Sequence, residues 1–246
     1  MMKRRSLLGM ALALSCGAGL AQTGPARRLH VVTTHLPPLV FENDNTRPGA
    51  LRELLSELCK RTQMELKLEF VPWKRALFLA TSMPATAIFP VTRLPERESR
   101  FRWLAPLYEE HYMFLARRGG TFDLQHLDDM KARRIALLRG AAQTAILQEL
   151  GYRNIVEGNS IEEIHRYLLE GMADAAFGER NIIQSSLKSR SAQRAFQVSA
   201  PVRTTTAWLA GSLDFDEATV QEFLRAKAAM DADGTTHRIL ATYKLA

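Results

Sequence analysis

Cysteine is nearly absent from this 246-residue chain: Cys16 and Cys59 are the only two. No disulfide framework can be built on so few, and stability has to come from a packed core. Catalytic and metal signatures are also missing. The six histidines (His30, His35, His111, His126, His165, His237) are dispersed, with no His-Glu-x-x-His, no cysteine pair, no Gly-x-Ser-x-Gly and no phosphate-cradling glycine-rich loop. Each histidine therefore reads as a surface or structural residue, and no metal or cofactor is expected. Hydrophobic content of 46% and charge of 24% exclude collagen-like, mucin-like and wholly disordered chains.

Long apolar runs are lacking too. Leu7 to Ser15 is the one near the N-terminus, and it is shorter than the roughly 20 residues a spanning helix needs. It follows Lys3, Arg4 and Arg5 and precedes Gly19-Leu20-Ala21, the pattern of an export signal cut before Gln22. Two variants stay open: Arg4-Arg5-Ser6-Leu7-Leu8 loosely resembles a twin-arginine signal, and Ala13-Leu14-Ser15-Cys16 is a weak lipobox that would leave Cys16 acylated. The net charge of +7 points at first to nucleic acid or an anionic membrane. Removing residues 1–21 takes away three of the 33 basic residues and none of the 26 acidic ones, leaving +4. A nucleic-acid partner is then not expected, and the mature protein is read as soluble, monomeric and periplasmic.

What is present is an alternation of short β-type runs and amphipathic helical stretches, the mark of βαβ units and an α/β fold. Strands are expected at Leu29–Thr33, Leu66–Val71, Thr86–Val91, Tyr112–Ala116, Arg134–Leu138, Ala173–Phe177 and Ala207–Ala210. Leu51, Leu54, Leu55 and Leu58 share one face of a helix over Ala50–Thr62. Further helices are expected at Trp73–Ala80, from Pro95, and at Leu124–Lys131, Ala141–Leu150, Ile161–Glu170, Asp216–Met230 and Thr235–Tyr243. Ligands of open α/β sheets sit outside the carboxyl ends of the strands. Five segments fall there: Thr34–Pro38 with Phe41, Val71–Arg75, Pro90–Arg97, Arg139–Thr144 and Gly178–Asn181.

Thr92-Arg93-Leu94-Pro95-Glu96-Arg97 followed by Phe101–Pro106 is similar to a motif of the periplasmic solute-binding proteins of polar amino-acid ABC transporters. Leu127–Gly140, Leu168–Ala175 and Met230–Tyr243 resemble further motifs of that family in order and spacing, so the likeness spans nearly all of residues 29–244. It implies a two-lobed type II periplasmic binding fold, each lobe a mixed sheet flanked by helices, with two hinge crossings. Residues 22–112 and 201–246 would form lobe 1 and residues 113–200 lobe 2, with hinges near His111–Phe114 and Ser199–Arg203.

By the same resemblance Arg97 grips a ligand carboxylate, a role for which its paired guanidinium donors are well shaped. The Thr92 hydroxyl adds to that grip, Trp73 stacks on the ligand and Glu179 holds an α-amino group. Where the family carries a hydroxyl residue after the second-lobe glycine this chain has Ala141 and Ala142, so Gly140, Gln143 or Thr144 has to substitute. His35 replaces an acidic residue of the first loop, and Phe41 and Pro90 complete the expected lining. Arg75, Arg93, Arg139 and Arg180 are expected to make the cleft positive and to favour an anionic or amphipathic acid over a cationic amino acid. The implied function is a solute-binding protein that closes over a small carboxylate-bearing ligand, an amino acid or related organic acid, and presents it to an ABC permease or a sensor. An alternative on the same fold is a cyclohexadienyl or arogenate dehydratase-like enzyme using an acid near Glu179. A buried Glu179 of raised pKa would favour the enzyme.

Overall fold

The structure is a computed structural model that describes residues 27–120, 124 and 126–245. The export signal and Cys16 lie outside the described residues. Among the described residues nine strands join in one sheet: β1 (Arg27–Thr33), β2 (Met64–Phe70), β3 (Thr86–Thr92), β4 (Arg102–Arg117), β5 (Ile135–Leu138), β6 (Ile155–Gly158), β7 (Ala175–Glu179), β8 (Phe196–Val198) and β9 (Arg203–Gly211). The helices are α1 (Ala50–Arg61), α2 (Trp73–Ser82), α3 (Gln143–Glu149), α4 (Ile161–Leu169), α5 (Arg180–Ser189), α6 (Glu217–Ala232) and α7 (Thr235–Thr242). Pro95–Arg100 and Leu127–Ala132 are 3₁₀ turns, tighter than the helices expected there.

The strand order is β2-β1-β3-β9-β4-β7-β5-β6, with β8 also on β4. In the first half β1, β2 and β3 run parallel, and β9 closes antiparallel onto β3 and β4. In the second half β5, β6 and β7 are parallel and β7 is antiparallel to β4. The sheet is continuous because β4 belongs to both halves. Its residues 102–112 pair with β9 and its residues 112–116 with β7. The chain returns through Ser199 and Val202, whose N–H groups donate to the carbonyls of Phe114 and Tyr112.

Each half buries helices on both faces of its sheet. In the first, Leu51, Leu54, Leu55 and Leu58 of α1 pack with Phe89 and Phe223, and α2 covers the other face through Trp73, Ala76 and Ala80. The four α1 leucines are fully buried and contribute roughly 1.5–3 kcal/mol each. In the second half α3 packs Ile146 and Leu147 on Phe114 and Phe177, while α4 and α5 pack Ile164, Leu168, Ile183 and Leu187 on the opposite face. α1 starts at Gly49, whose φ of 99° suits glycine; a Cβ there would lie 2.5 Å from the Leu39 carbonyl oxygen. No described helix is long and apolar enough to cross a membrane.

Candidate functional site

The two halves face each other across a cavity of about 70 Å³ that opens into an outer cleft of about 730 Å³. Leu36, Trp73, Leu138, Ile161 and Ile182 line both spaces. Leu39, Leu115, Ile164 and Ile183 make the inner wall largely apolar, so the few polar groups that reach it carry the chemistry.

Arg97 comes from the 3₁₀ turn that Pro95 opens, and it is 8% exposed. Its guanidinium donates to two carbonyls, Thr92 O at 3.4 Å in the first half and Gly140 O at 3.3 Å in the second. Gly140 lies in the loop after β5, at φ 75°. Burial pulls the Arg97 pKa down, opposed by the fields of Tyr112, Glu96 and Glu110, and an arginine so placed stays charged. Among the described residues no carboxylate lies within ion-pair distance of it. The Trp73 indole N–H, at the start of α2, is buried at the same cavity and makes no hydrogen bond.

Two buried carboxyls share the cavity wall. Glu179 ends β7 and caps α5, accepting at Oε2 from Asn181 N (2.8 Å) and Ile182 N (3.0 Å). At Oε1 it accepts from Tyr108 Oη (2.9 Å) and Asn181 Nδ2 (3.2 Å). Burial pushes its pKa up, and these four donors oppose the rise. Glu110, on β4, accepts at Oε2 from Thr92 Oγ1 (2.8 Å) and from Thr205 Oγ1 (3.1 Å) on β9. Tyr112 Oη lies 2.9 Å from Thr92 Oγ1. Desolvation raises the Glu110 carboxyl to about 7, aided by the nearby Glu179. His165 of α4 completes the ionisable lining; it is buried, and that burial lowers its pKa.

Arg97, Thr92, Trp73, Pro90, Gln143 and Glu179 are brought together at the inner cavity, and His35 and Phe41 line the outer cleft with Trp73. Gly140 approaches through its carbonyl, on Arg97, rather than through the N–H expected to replace a hydroxyl. The Thr92 hydroxyl has one proton, and with Glu110 ionised that proton is committed to Glu110. The expected positive cleft is not observed. Arg93 pairs with Glu98 and lies over the rings of Trp103 (5.1 Å) and Trp208 (4.8 Å), which draw the guanidinium by ion pairing and cation–π attraction. Arg75 is exposed on α2, Arg139 pairs with Glu157, and Arg180 lines neither space. The inner cavity thus carries one arginine against two carboxyls.

Glu110 is absent from the sequence-derived site. In Tyr-Glu-Glu-His-Tyr (108–112) it reads as part of a solvated charge run. Strand parity is the signal that finds it: Tyr108, Glu110 and Tyr112 are buried while Glu109 is exposed. Among the described residues no cluster of three or more His, Cys, Asp or Glu side chains is placed to hold a metal ion.

No protein-family model matches the sequence, and no curated protein is significantly similar to it. Solved structures resemble it closely in shape. A histidine kinase sensor domain with similarity to periplasmic binding proteins superposes with a TM-score of 0.79 at 19% identity, over 89% of this chain and 97% of that one. The GluR0 ligand-binding core from Nostoc punctiforme, in complex with L-glutamate, gives 0.75 at 17% identity, over 89% and 100%. An arginine transport-system periplasmic binding protein from Legionella pneumophila gives 0.76 at 15% identity, over 88% and 99%. With its mixed sheet flanked by helices and a strand shared by both halves, the chain has the two-lobed type II periplasmic binding protein fold.

Proposed function

We propose that this is an exported solute-binding protein that takes a small carboxylate-bearing solute into the cavity between its halves. Arg97 is the single observation that carries the reading. A buried guanidinium without a carboxylate partner among the described residues, lining a cavity and bonded to two carbonyls at 3.3 and 3.4 Å, is unfavourable unless an anion completes it. A ligand carboxylate supplies two parallel acceptors. The unbonded Trp73 indole N–H offers that ligand one further donor.

Residues 22–112 and 201–246 form the first lobe and residues 113–200 the second. Ligand docks on the first lobe and the second closes through Gly140 and Gln143. A ligand shifts that closure only through contacts made in the closed form, and the Arg97 to Gly140 bond is one that the closed form supplies. An ABC permease or a sensor then reads the closed shape. Residues 1–21 direct export to the periplasm, with acylation at Cys16 as the lipid-tethered variant.

A thermal-shift screen of the chain from Gln22 against amino acids, dicarboxylates and aromatic acids tests the reading. A ligand at 100 times its Kd adds about 2.7 kcal/mol of stability. Arg97→Ala is expected to abolish the shift of the best hit, and an unchanged shift sinks the assignment.

One observation favours the dehydratase-like alternative: Glu179 is buried with a raised pKa, and Glu110 supplies a second buried acid nearby. Binding still accounts for Glu179 better, because four hydrogen bonds and a helix N-terminus hold it as a fixed acceptor. Turnover of prephenate or arogenate, lost in Glu179→Gln, would establish the enzyme instead.

A further inference from the structure

The resemblance assigned the ligand's ammonium to Glu179, yet both Glu179 oxygens are filled. Oε1 takes Tyr108 and the Asn181 side chain, Oε2 the N–H groups of Asn181 and Ile182, which together exhaust about four acceptor sites. Glu110 differs. Thr92 and Thr205 both donate to Oε2, and the Tyr112 hydroxyl adds a third contact, so Glu110 has fewer donors than Glu179 and its Oε1 stays out of the threonine pair. It lines the same cavity as Arg97, and it sits on β4 two residues before Tyr112, where the strand passes from β9 to β7.

We infer that Glu110 sets the charge type of the ligand: ionised, it receives the ammonium of a zwitterion whose carboxylate lies on Arg97, and protonated, it accommodates a carboxylate without an ammonium, such as an α-keto acid. This inference rests on the reading of the cavity as a carboxylate site and narrows it to free amino acids and their keto analogues.

The surroundings of Glu110 suit such a two-state group. Thr92 on β3 and Thr205 on β9 donate to the ionised form, and the Tyr112 hydroxyl on β4 favours it as well. Arg97, from the 3₁₀ turn, favours the charge; Glu179 on β7 opposes it. Burial raises the pKa of Tyr112 and Tyr108 on β4, so both stay neutral, and lowers that of His165 on α4. Desolvation leaves the Glu110 carboxyl at about 7, near neutrality, so a modest change of partner switches it. On taking a zwitterion, the protonated carboxyl loses its O–H proton to solvent; the ligand's own carboxylate and ammonium stay ionised.

The test is calorimetric titration of the chain from Gln22, between about pH 5.5 and 7.5, with L-valine, L-leucine and L-phenylalanine and with their α-keto acids. Amino-acid affinity is expected to rise toward tenfold per pH unit on the acid side, with proton release to buffer, and keto-acid affinity to fall with pH. Glu110→Gln is expected to flatten both profiles. If that variant does not fold, Thr205→Val decides: losing one hydrogen bond to the ionised form moves the midpoint to higher pH, and an unmoved midpoint overturns the inference. Parallel profiles for the two series, or a dependence that survives in Glu110→Gln, overturn it alone. Binding of neither series overturns this inference, while the underlying carboxylate reading falls only if the thermal-shift screen finds no carboxylate ligand or Arg97→Ala leaves its best hit unchanged.

Discussion

The burial of Glu110 predicts an unusual pH dependence of stability. Its carboxyl lies near 4.5 in an unfolded chain and at about 7 here, so the folded chain binds the proton more tightly. The stability it contributes is complete below about pH 4.5, is lost as pH rises through about 7, and is flat above. At about 1.4 kcal/mol per pH unit the whole loss is about 3 kcal/mol, of which about 2–3 kcal/mol falls between pH 5 and 8. Glutamine has the same shape and no such proton. Glu110→Gln should therefore gain about 2–3 kcal/mol over the natural chain at about pH 8 relative to its standing at about pH 5. For a chain of this size that is a relative rise in Tm of roughly 4–12 °C. Urea unfolding followed by the fluorescence of Trp73, Trp103 and Trp208 measures it. An effect of Glu110→Gln that is the same at both pH values would refute the argument, because it would mean that Glu110 titrates alike in both states.

Glu179→Ala removes the α5 cap, at about 0.5–2 kcal/mol, and strands the buried Tyr108 O–H donor, whose oxygen still accepts from Asn181 Nδ2, for about 1–3 kcal/mol more, which urea unfolding at neutral pH would register. Gly49→Ala would place a Cβ 2.5 Å from the Leu39 carbonyl oxygen at a φ of 99°, and should cost about 2 kcal/mol or more in the same assay. Cys59, buried and with its thiol pushed up to about 12, should react with an aromatic disulfide reagent only at the rate of unfolding; rapid labelling of the folded chain from Gln22 would contradict the packing of α1.

Much of the fold is legible in the sequence because local pattern and tertiary burial agree there. The α1 leucines recur at helical spacing, and β1, β3 and β5 are dense in β-branched and aliphatic residues bounded by turns. The expected strand at Tyr112–Ala116 is only the end of a strand that begins at Arg102, since β4 packs against different partners along its length and its pattern changes at the crossing. Helix α5 went unread because its cap, Glu179, resembles a site residue in a loop and the helix itself is polar. β6, three half-buried residues and the buried Gly158 at the sheet edge, carries almost no pattern. At the site, the residues reached by one loop or turn, Trp73, Pro90, Thr92 and Arg97, were legible. Glu110 was not, because its burial is made by Thr205, 95 positions away, and the arginines were misplaced because their partners, Glu98, Glu157 and the Trp103–Trp208 pair, are set by folding.

Carboxylate binding in this cavity turns on Arg97. Calorimetric titration of the chain from Gln22 and of Arg97→Ala with the strongest ligand from the screen measures its part in binding. Truncating one member of a buried, hydrogen-bonded charge pair costs about 2–5 kcal/mol, so affinity should fall by roughly 30- to 5,000-fold. Binding by Arg97→Ala within about threefold of the natural chain would contradict the assignment of this cavity as a carboxylate site.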